Sequence, residues 1–592
     1  MRLDQLIDAA TAARPADLVV TGGRLVNVFT GEIYPADVAV AGDRIVAVGA
    51  VDRYRGADTE QVDAAGGYVV PGLVDGHLHI ECSKLSVTMF ADAVVRCGTT
   101  SVVSGLDQMC VVAGLDGARS ALDEAAASPL RVFWGAPFQT PYTLPRSTVG
   151  HYLGPAEHRV AQAWPECVGV WETVSEFVLG RDPAVLETLE LARRNRLPAF
   201  GCAPMAAEAT LPALCVAGIR LDHESYSAAE ALAKLRAGMY FLVRESSVAH
   251  FLEENIKVVT ELGADPSRVA FCTDDVTVSD MLEHGHIDHL VRLAIAAGVP
   301  PVTAVQMATI NCAQMYRIDH LVGSVAPGKY ADLLVAGDLQ AFDVRQVVAG
   351  GRLVAAGGQM LTAPTPPVRD PALLHTMRRA PVRQDQIAVR APAGAPSVRV
   401  LAMDLDRQVP FVRRRRDVVL AAVDGVLPPS VAQDVLYVCV VERYGNETPI
   451  RTAFVTGFEL RTGALATSAA PDDNNIVCVG TNAADMAVAV NQVLATGGGL
   501  AVAAEGTVRE FLALPVGGIV ADLPAEQMAE AERRLDAAAG ELGCRLPSAF
   551  GYLMFLAITA IPDYAVTDGG LVDYHAQQHV DPLLDVAKEA TP

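Results

Sequence analysis

Two histidines one residue apart follow an apolar run near the start of the chain. The run "GGYVVPGLVDG" is rich in β-branched and apolar residues between glycines, which is typical of a buried strand, and "HLH" follows it directly. Because alternate side chains of a strand lie on one face, His77 and His79 are predicted to point the same way. Two converging imidazoles suit a divalent metal ion, but two ligands do not complete a site. The other ligands must come from elsewhere in the chain.

Four further strand-like runs end on residues that can bind metal. They end on Glu172 in "VGVWE", Cys202 in "AFGC", His223 in "IRLDHE", and Asp274 and Asp275 in "RVAFCTDD". Imidazole and carboxylate ligands in this mixture suit Zn, Mn or Fe(II), and a bridging carboxylate would allow two ions. A metal lowers the pKa of bound water towards ~7, and a nearby aspartate can carry the proton to a leaving group. The predicted chemistry is hydrolysis or hydrolytic deamination.

Each of these residues also has an ordinary structural explanation. Glu172 could be a carboxylate at a buried edge, His223 could only pair with its acidic neighbours, and Asp274 and Asp275 could cap the next helix. Their joint order, each at the end of a strand-like run, favours a shared site over four separate accidents.

The segment from 71 to 325 alternates short apolar runs with helical patterns. "TTSVVSG", "LRVFWGAP" and "LPAFGCAP" are strand-like, whereas "PAVLETLELARRNR" and "MLEHGHIDHLVRLAIAAG" are helical. This alternation predicts a (β/α)8 TIM barrel of the α/β class, whose functional residues lie at the carboxyl ends of its strands. The candidate ligands lie at such ends.

The flanking segments predict further domains. Residues 1–70 and 326–362 share a strand-turn-strand pattern, as in "DVAVAGDRIVAVGAV" and "VRQVVAGGRLVAAGGQ", and are expected to form one small β-sandwich with the barrel inserted in it. Residues 363–397 carry many Pro and Arg and read as a linker. Residues 398–592 mix strand and helix patterns and predict an additional C-terminal α/β domain.

Net charge, apolar runs and cysteine spacing limit the classes of binding partner and the cellular location expected for this protein. The 592 residues carry a net charge of -23, which disfavours binding to nucleic acid or to an anionic membrane. The N-terminal stretch carries acidic residues and lacks a continuous apolar run, so no secretory leader is expected, and no apolar run approaches the ~18 residues of a membrane span. The 11 cysteines form no Cys-x-x-Cys pair, so a cytoplasmic protein with free thiols is expected. The apolar C-terminal domain could cover the barrel mouth or form a subunit interface, and a homo-oligomer is expected.

The segment "VVPGLVDGHLHIECS" resembles the adenine deaminase family of the amidohydrolase superfamily, whose version reads Pro-Gly-Phe-Ile-Asp-x-His-x-His-Ile-Glu-Ser. The similarity continues through "LDHES", "FCTDD" and "GSVAPGKYADLLV", and through "VVERYG" and "NNIVCVGTNAADMAVAVN" in the C-terminal part. It therefore covers nearly the full length, and the chain resembles a divergent member.

The resemblance implies metal-dependent deamination of adenine, or of a related amino-heterocycle, in which activated water attacks C6 and ammonia leaves to yield hypoxanthine. It implies that His77 and His79 are paired metal ligands, that Glu172 is a bridging carboxylate and that His223 is a later ligand. Asp274 matches the aspartate that binds metal and carries the proton. One or two ions of Mn, Fe(II) or Zn are expected per subunit.

Three further acidic residues are weaker candidates. Asp275 competes with Asp274 for the catalytic role, since sequence alone does not say which carboxylate faces the site. Glu224 and Glu245 are candidates for contacts to ring nitrogens of the substrate or for support of the ligands.

The chain also departs from the family pattern. Where the family shows Gly-His-Ala-Pro, this chain has Cys202 in place of the histidine, and where the family shows Asp-Pro-His-Glu it has "GLDQ", ending in Asp107 and Gln108. A histidine-bearing "SHDSHNI"-like segment of the C-terminal part appears here as "SAAPDDNNI". Cys202 could be a thiolate ligand of an ion such as Zn, or a buried neutral thiol beside a single ion. Asp107 and Gln108 could be loop residues or a rebuilt substrate contact.

These departures leave two alternatives to adenine deamination. The first is a hydrolase of the same architecture that opens a cyclic amide or another C-N bond in a different heterocycle. The second is a non-catalytic binding protein with an amidohydrolase fold, which need not retain the whole ligand set.

Overall fold

The computed structural model describes residues 1–142, 144–206, 209–247, 249–406, 412–561 and 563–586. Within these ranges the strands form five sheets. The fold class is as predicted: a parallel eight-stranded barrel is inserted in the chain between strands that pair with each other in one flanking sheet, and an additional C-terminal α/β unit follows. The exact domain boundaries stay a prediction.

Two sheets lie outside the barrel: a four-stranded sheet whose strands all precede the barrel in the chain, and a seven-stranded sheet that combines strands from before and after it. A four-stranded sheet has the spatial order Arg44–Gly49, Asp37–Ala41, Leu18–Thr21 and Glu60–Asp63. A seven-stranded sheet has the order Gln359–Met360, Arg352–Ala356, Val344–Ala349, Leu333–Ala336, Tyr68–Pro71, Arg24–Val26 and Ile33–Pro35. Tyr68–Pro71, the last strand before the barrel, pairs antiparallel with Leu333–Ala336, the first strand after it. The helix Leu3–Ala10 precedes these strands.

Eight parallel strands form the barrel. In chain order they are Leu73–Leu78, Thr99–Ser104, Arg131–Pro137, Cys167–Val174, Ala199–Cys202, Ile219–Asp222, Tyr240–Arg244 and Val269–Cys272, and each neighbours the next. The backbone N–H of Asp274 donates to the carbonyl of His77 at 2.9 Å, and that of His79 donates to the carbonyl of Asp274 at 3.3 Å. These bonds join the first and last strand ends and close the barrel at its carboxyl edge.

Helices connect the barrel strands and cover their outer face. Pro183–Arg194 is representative, since it buries Val185, Thr188, Leu189 and Ala192, the i, i+4 and i+7 spacing of one helical face. Asp182 accepts the backbone N–H groups of Ala184 and Val185 and so begins this helix. The other helices of this region are Val87–Val95, Asp107–Ala126, Pro155–Ala161, Ser175–Leu179, Leu211–Val216, Ala228–Arg236, Leu252–Asn255, Lys257–Thr260, Val278–His284, Ile287–Ala296, Pro301–Met307 and Ile310–Met315.

The segment after the sandwich crosses to the C-terminal part with two short helices, Pro371–Leu374 and Gln384–Ile387. A large sheet follows, in the order Arg413–Ala421, Ser397–Leu405, Ala453–Thr456, Leu436–Val441, Ile476–Gly480, Ala464–Thr467, Gly499–Ala504 and Thr507–Ala513, with Leu583–Val586 also on Ser397–Leu405. A small sheet contains Tyr564–Thr567, Gly570–Asp573 and Gln578–His579. The helices here are Ala483–Ala495, Ala525–Glu541 and Ala549–Phe555.

The C-terminal domain contacts the mouth of the barrel. Asn474 Nδ2 donates to Gln108 Oε1 at 2.7 Å, and Asn475 Nδ2 donates to the carbonyl of Thr148 at 2.9 Å. Thr148 in turn donates to Asp568. Of the two positions left open by the sequence, the domain therefore occupies at least the barrel mouth. Within the described ranges, no helix has both the length and the apolar character needed to span a membrane.

Candidate active site

Two histidines are stacked in the centre of the site without hydrogen-bond partners. His77 is fully buried, and its ring lies 4.0 Å from the Trp171 ring and 3.7 Å from that of His223, centroid to centroid. Within the described part of the chain, both ring nitrogens of His77 and both of His223 lack a hydrogen-bond partner. A buried polar atom normally has such a partner, so four nitrogens without one at the same place fit the role of ligands to a metal ion.

Carboxylates from two other strands face these rings. His77 Nε2 lies 3.7 Å from Asp274 Oδ1 and 3.9 Å from Glu172 Oε1, and His79 Nε2 lies 3.5 Å and 3.3 Å from Asp274 Oδ1 and Glu172 Oε2. His223 Nε2 lies 3.8 Å from Glu172 Oε1. Most of these distances are longer than the donor–acceptor distance of a good hydrogen bond, but they suit two atoms that bind the same metal ion.

The two carboxylates occupy unusual backbone conformations. Glu172 has φ +47° and Asp274 has φ +57°, in the left-handed region that residues other than glycine rarely adopt. Glu172 lies two residues before the carboxyl end of the strand Cys167–Val174, and Asp274 lies two residues after the strand Val269–Cys272. Such conformations cost free energy and concentrate at functional sites.

Asp107 holds the second histidine of the pair. Its Oδ1 lies 2.9 Å from His79 Nδ1, and Asp107 is buried at the start of the helix Asp107–Ala126. Burial alone would lower the pKa of His79, but the carboxylates of Asp107 and Glu172 raise it well above its ordinary value. A carboxylate on one imidazole nitrogen fixes the ring orientation and leaves the other nitrogen for the site.

Arg244 forms ion pairs with the carboxylates of Asp274 and Glu224. Its Nη1 donates to Asp274 Oδ2 at 2.6 Å and to Glu224 Oε1 at 2.7 Å, and its Nη2 donates to Glu224 Oε2 at 3.1 Å. Burial alone would raise the pKa of Asp274, but the Arg244 guanidinium and the neighbouring histidines hold it below its ordinary value. Arg244 therefore keeps Asp274 ionised and turns its Oδ1 towards His77 and His79.

Lys234 supports the strand end that carries His223. Its ammonium group is fully buried and donates to Asp222 Oδ2, to the backbone carbonyls of Ala203 and Glu224, and to Ser225. These contacts fix the residues on both sides of His223, although Lys234 itself does not face the cluster.

The predicted residues fall into two groups. His77, His79, Glu172, His223, Asp274 and Asp275 all belong to at least one of three sets of ligand atoms that lie within 4.8 Å of one another. Among the described residues, Cys202 belongs to none of these sets, and burial raises the pKa of its thiol well above the ordinary value. Glu245 instead accepts from His250 Nδ1 at 2.7 Å and from the backbone N–H of Leu252, so its carboxylate anchors a loop.

The position of Asp275 differs from that of Asp274. Asp274 belongs to two of the three sets and Asp275 to one. Burial and the charge of Asp274 raise the pKa of Asp275 to about 6, whereas the pKa of Asp274 is lowered. The geometry therefore favours Asp274 of the two.

The donor set suits a divalent cation. Three imidazoles and up to three carboxylates converge, and the orphaned nitrogens of His77 and His223 belong to this set. A mixture of nitrogen and oxygen ligands is the one that Zn, Mn and Fe(II) accept. The site can thus hold a metal ion beside a substrate at the barrel mouth.

Comparison with known proteins agrees with this geometry. Residues 68–354 match the amidohydrolase family, and residues 411–578 match the adenine deaminase C-terminal domain. The chain is 52% identical over 569 residues to adenine deaminase 4 of Rhizobium meliloti, covering 96% of this chain and 95% of that protein. It is 51% identical over 583 residues to adenine deaminase 1 of Desulfotalea psychrophila, covering 98% of both. It is also 38% identical over 573 residues to adenine deaminase of Moorella thermoacetica, covering 96% of both.

The chain belongs to the adenine deaminase family. Members of the amidohydrolase family use divalent metal, which accords with the ligand cluster described above. The chain is thus a hydrolase that acts on C-N bonds other than peptide bonds.

Sequence reasoning missed Arg244 and Lys234 of this candidate site, and it considered Asp107 only as a loop residue or a rebuilt substrate contact, not as the partner of His79. Arg244 ends the seventh barrel strand, Asp107 follows the second, and Lys234 lies on a helix. For Arg244 and Asp107 the signal was available, since both lie at carboxyl ends of barrel strands, where functional residues concentrate. Lys234 had no such signal, because its role depends on burial.

Proposed function

We propose that this protein deaminates adenine hydrolytically to hypoxanthine and ammonia. The observation that carries the proposal is the convergence of His77, His79, Glu172, His223 and Asp274 at the barrel mouth. The chain that forms this cluster is related over nearly its full length to proteins named adenine deaminase.

These five side chains would hold one or two divalent ions of Zn, Mn or Fe(II). The bound ion would act as a Lewis acid that polarises the substrate and lowers the pKa of water towards ~7. Asp107 would keep His79 Nε2 directed into the site, since it engages the opposite nitrogen of the ring.

Asp274 is the group best placed to move a proton. Arg244 holds its Oδ2, which leaves Oδ1 facing the site. As the oxygen of one water bonds to C6 of adenine, Asp274 would take a proton from that water. Of the two protons of the water, one ends on N1 and the other on the departing amino group, so the C6–N bond breaks and ammonia leaves. A correctly placed acid-base group contributes about 10²- to 10⁴-fold to such a rate.

The direct test follows adenine absorbance and ammonia release together, with the full chain reconstituted separately with Zn, Mn and Fe(II). Equal amounts of hypoxanthine and ammonia are expected, and Asp274→Asn should lower kcat by at least ~10²-fold. If the metal-loaded protein leaves adenine unchanged but hydrolyses another heterocycle, adenine is not the substrate and that heterocycle takes its place in the proposal. Protein that binds none of the three metals would support the non-catalytic alternative.

We also infer that Cys202 is a neutral thiol beside the site and that the protein forms a homo-oligomer. The first inference is supported by the absence of Cys202 from the three ligand sets formed by described residues. The second rests on sequence character alone, and light scattering of the purified protein tests it.

A further inference from the structure

The first and last barrel strands meet along a seam that has few backbone bonds. Each other pair of neighbouring barrel strands forms a parallel ladder. Within the described ranges, Leu73–Leu78 and Val269–Cys272 are instead joined by one isolated bridge at their carboxyl ends. The two backbones nevertheless lie close together, since a Cβ at Gly76 would lie 3.1 Å from the carbonyl oxygen of Phe271. Side chains must therefore supply part of the bonding across this seam.

The carboxylate of Asp75 bonds to both sides of the seam. Asp75 is fully buried on the first strand, and its Oδ1 accepts the backbone N–H of His77 at 3.0 Å. The backbone N of Thr273 lies 3.3 Å from both carboxylate oxygens, and the Thr273 hydroxyl donates to Oδ2 at 2.6 Å. An ionised carboxylate can accept all of these bonds, because it has acceptor positions only. Asp75 thus joins His77 to the residue directly before Asp274.

A buried histidine holds the Thr273 hydroxyl from the other side. His286 Nε2 lies 3.3 Å from Thr273 Oγ1 and 3.4 Å from Asp75 Oδ2, and His286 Nδ1 lies 3.0 Å from Thr99 Oγ1. Thr273 gives its one hydroxyl proton to Asp75, so we assign the proton of the imidazole to Nε2, which donates to Thr273. Nδ1 then accepts the hydroxyl of Thr99, the first residue of the second barrel strand. Three strands are therefore linked through one buried chain of polar groups.

We propose that Asp75, Thr273 and His286 form a clamp that fixes the position of His77 relative to Asp274 and so shapes the metal site. This inference rests on the proposed function, because it assigns positioning residues to the metal site of that reaction. His77 Nε2 and Asp274 Oδ1 lie 3.7 Å apart, and the clamp bonds to the backbone of His77 and of the residue before Asp274. A binding site of this kind works only when its ligands are held within ~0.5 Å of their proper positions.

The clamp residues act through the ligands. Among the described residues, none of the three belongs to a set of converging ligand atoms. The expected effect of breaking the clamp is therefore a displaced metal ligand and not the loss of one.

Asp75→Asn is the sharpest test, because it keeps the volume of the side chain and replaces one acceptor with a donor. Whichever way the amide turns, its NH2 group faces a backbone N–H of His77 or Thr273. The full metal-free chain is titrated with Co(II) in competition with a chromophoric chelator. Binding should be ~10- to 100-fold weaker than in wild type, the usual loss when a group that orients a metal ligand is removed. The absorption spectrum of the bound Co(II) should also change, because that spectrum reports the ligand geometry.

Two variants of His286 test the other half of the clamp. His286→Gln can still donate to Thr273 and should bind Co(II) nearly as wild type does. His286→Phe has no polar atom in its side chain and should bind Co(II) at least ~10-fold more weakly. Equal losses in the two variants would remove His286 from the clamp.

Asn311→Ala is the matched control for a general loosening of the barrel. Asn311 Nδ2 donates to the carbonyls of Pro266 and Val269, at the opposite end of the last strand. This variant should lose stability in urea and keep the Co(II) affinity and spectrum of wild type. If it shows the same spectral change as Asp75→Asn, the effect is not one of positioning and the inference is overturned.

The remaining outcomes separate this inference from the proposed function. Wild-type Co(II) affinity and spectrum in Asp75→Asn would overturn the clamp and leave adenine deamination untouched. A wild type that binds neither Co(II) nor Zn, Mn or Fe(II) would refute both. If Asp75→Asn does not fold, Thr273→Val takes its place, since it removes only the hydroxyl of the clamp, and it should weaken Co(II) binding by at least ~10-fold.

Discussion

Removing the carboxylate of Asp107 should weaken metal binding while the barrel stays folded. Asp107 Oδ1 lies 2.9 Å from His79 Nδ1, and Asp107 is 2% exposed, so water does not readily replace the lost partner. In Asp107→Ala the ring of His79 loses the contact that orients it. Asp107→Asn keeps the volume and one acceptor oxygen but removes the negative charge.

The size of the effect follows from this geometry. Loss of an outer carboxylate on a metal-binding histidine typically costs 10- to 100-fold in metal affinity, which corresponds to about 1.4–2.7 kcal/mol. Asp107→Ala should lie near the upper end, since it also leaves a buried N–H unpaired, an additional cost of about 1–3 kcal/mol shared between folding and binding. Asp107→Asn should lie near the lower end, because its amide oxygen can still accept the N–H of His79.

Competition with a chromophoric chelator gives the metal affinity of each variant, and urea unfolding of the metal-free protein gives the change in stability. Asp116→Ala is the matched control, because Asp116 lies on the same helix and is exposed. It should bind metal as wild type does. If Asp107→Ala binds metal with unchanged affinity, Asp107 does not orient a ligand and the assignment of His79 Nε2 to the metal loses its structural support.

Three other changes have defined outcomes. Arg244→Met leaves the buried Asp274 and the partly buried Glu224 without their partner and should lower the free energy of unfolding by about 3–5 kcal/mol in urea unfolding. Arg159→Met, which breaks an exposed pair, should cost less than about 1 kcal/mol in the same assay. Cys202→Ser should leave the metal content per chain, measured by elemental analysis, unchanged; a lower metal content would show that the thiolate is a ligand. Cys202→His should raise the metal content if a ligand position has been lost. Gly105→Ala would place Cβ 2.4 Å from Trp171 Nε1, so it should cost about 1–3 kcal/mol of stability in the same urea assay; unchanged stability would mean that the indole moves freely.

The barrel and most of the candidate ligand cluster could be predicted from local patterns. Strand periodicity placed His77 and His79 on one face, and the repeated ending of apolar runs on Glu172, His223 and Asp274 placed those residues at one edge. Both inferences need only the strand period and the rule that parallel strands end together.

The choice between adjacent residues could not be made in this way. Glu245 was selected as a candidate, but Arg244, its neighbour, makes the contacts in the site, while Glu245 bonds to His250. Consecutive residues of a strand point in opposite directions, so an error of one position exchanges the two faces. Resolving it requires the register of the strand against its neighbours.

Two departures from the family pattern turn out to form a single contact. Gln108 lies in the altered segment "GLDQ" of the barrel, and Asn474 lies in the altered segment "SAAPDDNNI" of the C-terminal domain. They are 366 positions apart, yet Asn474 Nδ2 donates to Gln108 Oε1 at 2.7 Å. The buried Asn474 Nδ2 and Gln108 Oε1 are partners only when both residues are present, so a change in one segment constrains the other. The barrel mouth and the segment that covers it therefore form one interface, and the substrate pocket of this chain is a property of both domains together.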